Sequence, residues 1–119
     1  MSNLRYISTT TLYTEESGQP EFLYISDTNN HCLKKLSLAD NEVTVVAGKC
    51  GTSGFLDGPL GYNRLNSPKN IGVSRKGVVY FFDSGNEYIR IVDLSGSVST
   101  LQLGACKQSI DYAIKLVRE

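Results

Sequence analysis

Leu23-Tyr24-Ile25-Ser26-Asp27-Thr28-Asn29-Asn30-His31-Cys32-Leu33-Lys34-Lys35-Leu36-Ser37-Leu38 is answered further along by Val79-Tyr80-Phe81-Phe82-Asp83-Ser84-Gly85-Asn86-Glu87-Tyr88-Ile89-Arg90-Ile91-Val92-Asp93-Leu94. Asp27 corresponds to Asp83, Asn30 to Asn86, Leu33 to Ile89, Leu36 to Val92 and Leu38 to Leu94, each pair 56 residues apart. A fixed period of that size is the signature of a repeat architecture, in which one supersecondary unit is built twice and stacked on itself.

Each copy reads as β-structure. In the first, residues 22–27 are aromatic and β-branched and stop at a Thr-Asn-Asn cluster; residues 31–38 alternate, with Leu36 and Leu38 on one face. Ala39-Asp40-Asn41 supplies a turn, and Glu42 to Gly48 forms the next strand. Thr10 to Tyr13 is a weaker first strand. The second copy repeats the anatomy, with strands expected at 70–74, 78–83, 87–94 and 97–103. Two four-stranded antiparallel units of this kind are what β-propeller blades are made of. The expected organisation is a first blade over 1–48, an inter-blade loop over 49–68 with a helical turn near Leu60–Leu65, a second blade over 69–104, and a tail over 105–119. In the tail, Ile110, Ala113, Ile114 and Val117 recur at helical spacing behind Ser109 as an N-cap, which predicts a short helix; the start of another repeat is the alternative.

Three stretches resemble the NHL repeat, a family named for its Asn-His-Leu signature. The first is Asp27-Thr28-Asn29-Asn30-His31-Cys32-Leu33 behind Leu23-Tyr24-Ile25. The second is Val45-Val46-Ala47-Gly48 with Gly54-Phe55-Leu56-Asp57-Gly58-Pro59. The third is Arg64-Leu65-Asn66-Ser67-Pro68-Lys69-Asn70-Ile71-Gly72-Val73, and the likeness as a whole covers about residues 22–104. The second copy departs from it, with Glu87 in the histidine position. The resemblance implies a propeller whose loops on one face hold a protein partner. It also leaves open a propeller enzyme of the metal-dependent lyase or hydrolase type, and RNA binding by a basic face.

Composition weighs these classes. Twelve basic residues balance twelve acidic ones, which disfavours nucleic acid, whose binders carry a basic excess. A metal-dependent enzyme needs several His, Asp or Glu side chains converging from inner strands; the chain holds one histidine and no inner-strand acid. Neither a catalytic residue nor a metal site nor a cofactor is assigned. Gly48-Lys49-Cys50-Gly51-Thr52-Ser53-Gly54 is no phosphate loop, because there Gly-Lys closes the motif and leads into a helix, whereas here it opens the stretch. The repeating Asp27…Asn30 and Asp83…Asn86 boxes read as turn chemistry. Each aspartate is expected to accept the backbone N–H groups of the next two residues, with Asn30 and Gly85 in left-handed conformations. Lys34, Lys35, Lys49, Arg64 and Lys69 are scattered among acids and read as solvated surface.

The candidate partner-binding residues are Asn29, Lys49, Tyr62, Arg64 and Glu87, all in loops that propellers gather on one face. Phe55, in the same loop, reads as packing over the blade junction. Two blades leave an apolar face unmatched on each side, and closed propellers take about four to eight blades. The expected partners are therefore a protein ligand and the remaining blades, supplied by a longer chain or by identical chains closing a ring. Three cysteines rule out a complete internal set of bridges. Cys32, Cys50 and Cys106 are expected as thiols, although a turn near Asp40 brings Cys32 and Cys50 close enough for a bridge. The chain shows no leader-like apolar stretch, bilayer-length run or Asn-x-Ser/Thr sequon, which points to the cytosol.

Overall fold

A computed structural model describes residues 6–13 and 20–101, with side chains over 21–101. The expected tail helix and Cys106 lie outside the described residues. The chain is all-β. Strands β1 (Tyr6–Tyr13), β2 (Pro20–Asp27), β3 (Cys32–Ser37) and β4 (Val43–Gly48) form one antiparallel sheet in sequence order. Strands β5 (Pro68–Val73), β6 (Val79–Asp83), β7 (Tyr88–Val92) and β8 (Val98–Thr100) form a second of the same order. The registers repeat with the sequence: Tyr24 pairs with Lys35 as Tyr80 pairs with Ile91, and Asp27 with Cys32 as Asp83 with Tyr88. The first strand is longer than its four residues of sequence signal suggested, and β7 and β8 are shorter than expected, although Asp93 N–H still bonds to the Ser97 carbonyl and Leu101 N–H to the Ile89 carbonyl.

Period-2 alternation places the two sheets face to face. In β6, Val79, Phe81 and Asp83 are buried, while Phe82 between them is exposed. Val79 and Phe81 join Val92 and Val98 of the same sheet to Tyr24, Leu33 and Ala47 of the other in one core. Polar bonds lock the stack: Ser26 Oγ donates to the Lys69 carbonyl (2.5 Å) and Thr28 Oγ1 to the Pro68 carbonyl (2.7 Å). Leu65, from the connecting loop, is fully buried in the same core, a contribution worth roughly 1.5–3 kcal/mol for a side chain of that size. Gly48 ends β4 at φ +83°, and a Cβ there would stand 2.5 Å from the His31 carbonyl oxygen, so only glycine fits.

The left-handed residues are not the ones expected. Thr28–Asn30 is a single 3-10 turn, and the residue after it, His31, takes φ 59°. Its repeat mate Glu87 takes φ 61°. The turn closes through backbone bonds, His31 N–H to Thr28 O in the first copy and Glu87 N–H to Asp83 O in the second, which leaves the strained geometry to the residue that exits the turn. An L-residue in this region costs about 1–2 kcal/mol. Glu87 is exposed and its side chain makes no hydrogen bond among the described residues. Glu87→Gly is therefore expected to raise stability by up to about 1 kcal/mol, part of the relief being lost to the freer unfolded chain. His31→Gly gains nothing, because His31 Nδ1 accepts the Ser67 N–H (3.1 Å). Urea unfolding of the two variants against the parent checks both signs.

Candidate partner-binding face

Each blade carries the same buried polar triad. In the second, Asp83 Oδ2 accepts from Asn86 Nδ2 (2.6 Å) and from Arg90 Nη1 (2.8 Å), and Asp83 and Arg90 are both fully buried. In the first, Asp27 Oδ2 accepts from Asn30 Nδ2 (3.4 Å) and Lys34 Nζ (2.9 Å). Lys34 and Arg90 are repeat mates, and Lys34 is correspondingly half-buried and paired with a fully buried aspartate, not part of a solvated surface. The aspartates are turn residues, but their carboxylates bind the asparagine and cation side chains in place of the next two backbone amides. The Gly85 amide goes instead to the Asn66 carbonyl, and the amides of Asn86 and Glu87, further along, close the turn on the Asp83 carbonyl.

The second triad grips the inter-blade loop. Arg90 donates to the carbonyls of Arg64 (2.7 Å) and Leu56 (2.8 Å) and to Asp57 Oδ1 (2.9 Å). Asn86 donates to the Gly54 carbonyl (3.0 Å), and Asp83 Oδ1 accepts the Asn66 N–H (2.8 Å). The loop is thus a hairpin, with Gly54 N–H bonded to Leu65 O and Leu56 bridged to Arg64. A single turn over Pro59–Asn63 closes its tip, in place of the expected turn over Leu60–Leu65. Fully buried Asn63 holds that tip, accepting Gly48 N–H on Oδ1 (2.6 Å) and donating from Nδ2 to the Gly58 and Pro59 carbonyls (3.0 Å each). Nothing but its place in a Gly-rich loop could have marked Asn63 beforehand.

Cys32 and Cys50 are bridged, with Cα atoms 5.1 Å apart. The expectation of thiols is corrected: Cys32 pairs with Gly48 at the start of the β3–β4 ladder, and the loop turns back over it two residues later. An eighteen-residue separation carries no motif, so only the hairpin's closure brings the two sulfurs together.

The candidate residues divide between the two ends of the sheets. Asn29 is the middle residue of the 3-10 turn, Lys49 follows Gly48, and Glu87 follows Asn86, all at one end. A continuous belt joins them: Gly51 N–H to Asn30 O, Ser67 N–H to His31 Nδ1, Gly85 N–H to Asn66 O. Asn29, Lys49 and Glu87 are exposed, and among the described residues their side chains have no hydrogen bond or ion pair. Tyr62 is 58% exposed but stands at the loop's tip, near the opposite end, since Gly58 pairs with Val98 behind the β7–β8 turn. Arg64 is held by its own loop, Nη1 donating to the carbonyls of Gly61, Tyr62 and Asn63. Phe55 packs on the second blade and not over the blade junction, stacked on Tyr88 (centroids 5.3 Å, 15° between planes) with Arg90 4.9 Å from its centroid. Among the described residues no three His, Cys, Asp or Glu side chains gather to hold a metal ion.

The fold and this belt define adjacent blades of a β-propeller-like protein, and comparison with known proteins agrees at that level. No family model matches the chain. It is 32% identical over 100 residues to Protein SUPPRESSOR OF QUENCHING 1, chloroplastic, of Arabidopsis thaliana, a match covering 81% of this chain and 9% of that protein. Among solved structures it is similar to an auxiliary nutrient binding protein of Bacteroides thetaiotaomicron (TM-score 0.59, 21% identity, 82% of this chain and 26% of that one). It is also similar to a protein of unknown function from the same organism (TM-score 0.60, 25% identity, 76% and 22%). The chain thus spans about a quarter or less of each of these proteins.

Two consequences are measurable. Arg90→Met leaves the Asp83 carboxylate buried without its cation and is expected to cost about 3–5 kcal/mol, read as a fall in the urea midpoint at unchanged slope. Reducing the Cys32–Cys50 bridge is expected to cost about 3 kcal/mol, the value for a loop of this length. Thermal melts with and without a reductant, against Cys32→Ser with Cys50→Ser, check it; the double variant should melt where the reduced parent does.

Proposed function

We propose that the chain is a pair of adjacent NHL-type β-propeller blades serving as a non-catalytic protein-interaction scaffold, with its partner held at the end that carries Asn29, Lys49 and Glu87. One observation carries the reading: three unengaged polar side chains stand on a belt fixed by backbone bonds, the two triads and a disulfide. A surface that is rigid before binding loses little entropy on binding, which is how loop sites on stable scaffolds gain affinity. Further blades, from a longer chain or from copies of this one, complete the propeller around it. The bridge also supports residence where thiols are not kept reduced, in place of the cytosol that the bare sequence suggested.

A photo-crosslinking amino acid at position 49, with one at position 75 on the opposite end as control, tests the reading. A protein captured from 49 and not from 75 is then purified and its affinity measured. Lys49→Glu combined with Glu87→Lys is expected to weaken it at least tenfold, and Arg75→Glu to leave it within twofold. Equal capture from both positions rejects the face. Capture of RNA, with affinity falling steeply as salt rises, moves the function to nucleic acid.

A further inference from the structure

At the opposite end of the sheets lies a cleft of about 310 Å³ between the two blades. Its walls are apolar, with Phe22 and Val46 from the first blade, Val92 and Leu94 from the second, and Leu60 from the loop tip. Two cations face into it. Lys35 is half-buried in β3, its ammonium 4.5 Å from the centroid of the Phe22 ring; Lys76 stands on the β5–β6 turn. Neither makes an ion pair among the described residues. One acid, Asp93, also lines the cleft and keeps its negative charge, its Oδ1 accepting from Ser95 N–H, Ser95 Oγ and Ser97 N–H, so two cations face one anion there. The Ser95 hydroxyl, then the Ser97 amide, hold its carboxyl below the ordinary value. Tyr24, also in the wall, is pushed up by burial and then by the Glu21 carboxylate, so it presents a neutral hydroxyl.

The fold does not ask for this chemistry. Lys35 stands where the second blade has Ile91, in the same register opposite a tyrosine, and the sheet is built equally well around either. Phe22 stands where the second blade has Val78, and Lys76 where the first has Pro20. The two copies differ in charge and aromaticity where the cleft is lined, and the half-buried lysine over an aromatic ring makes no ion pair among the described residues. A hydrogen-bonded carboxylate or other anion would supply that partner.

We propose that this cleft binds a small organic anion with an apolar body, its charge met by Lys35 and Lys76 and its chain lying against Phe22, Val46 and Val92. At the roughly 30 Å³ that one water takes in the liquid, the volume admits a body of about ten non-hydrogen atoms. The site is separate from the partner-binding end, and either stands without the other.

Octanoate is the probe, titrated into the labelled chain and followed by amide and methyl NMR shifts. Saturable shifts are expected at Phe22, Lys35, Val46 and Leu94, at a Kd of about 1 mM or tighter. Lys35→Met and Lys76→Met are each expected to weaken octanoate at least fivefold while the thermal midpoint stays, since isoleucine fills the first of these positions in the sister blade. Octanol and octyltrimethylammonium should bind at least fivefold more weakly than octanoate. Absence of saturable shifts at the cleft overturns the proposal. So does octanol binding as well as octanoate, or an affinity unchanged by both substitutions.

Discussion

One guanidinium holds the second blade and the inter-blade loop as a unit. Arg90 is fully buried and all five of its N–H donors are used: Nε on Thr100 Oγ1, Nη1 on Asp83 Oδ2 and the Arg64 carbonyl, Nη2 on the Leu56 carbonyl and Asp57 Oδ1. A buried charge survives only when paired and fully hydrogen-bonded. The requirement runs in reverse as well: the loop must present two carbonyls and a carboxylate at fixed positions, or the arginine cannot stay inside. The hairpin of the loop, the depth of Leu65 in the core and the pairing of Gly58 with Val98 all follow from satisfying it. A lysine offers three donors from one point and could not reach across β6, β8 and the loop together.

The first blade meets the same mechanical need by other means. Lys34 takes the place of Arg90 and makes one ion pair, and Asp27 Oδ1, the mate of the oxygen that Asn66 satisfies in the second blade, has no partner among the described residues. The chain that follows β4 is tied down by the Cys32–Cys50 bridge. Cys32 is the repeat mate of Tyr88, and Tyr88 fixes the loop over the second blade by stacking on Phe55. A covalent bond in one copy and an aromatic stack in the other stand at the same structural position, which is why the sequence period survives while the residue types there do not.

The legible part of the fold was the part set by local chemistry. Alternation in Leu23–Asp27 and Val79–Asp83, and glycine or asparagine clusters between runs, place strands and turns without knowledge of what they pack on. The period supplied their stacking. Hidden from that reading were residues whose role is decided by distant partners. Lys34 looks solvated because charge usually is, and only the approach of an aspartate seven residues away draws it in, as it does its repeat mate Arg90. Arg64 has the residue type of a binding hot spot, yet three carbonyls of its own loop gather on its Nη1 and hold the guanidinium against the loop. Left-handed geometry fell on His31 and Glu87 instead of Asn30 and Gly85, because closure of a 3-10 turn, not residue preference, selects which residue exits it.

Repetition also separates structure from function within one chain. Where both copies keep a residue type in the same contact, as with Asp27 and Asp83 or Asn30 and Asn86, the blade itself requires it. Where the copies differ and the structure shows what each variant contributes to stability, as with Cys32 and Tyr88, the difference is still architectural. The remainder are differences with no hydrogen bond or ion pair behind them among the described residues. Lys35 spends side-chain freedom to lie over Phe22 where isoleucine would serve, and Lys49 and Glu87 stand unengaged at the rim of a rigid belt. A half-buried ammonium loses hydration that a cation–π contact of about 0.5–2 kcal/mol only partly returns. That deficit is removed when an anion enters, so the cost carried by the empty cleft is also the source of its selectivity for charge.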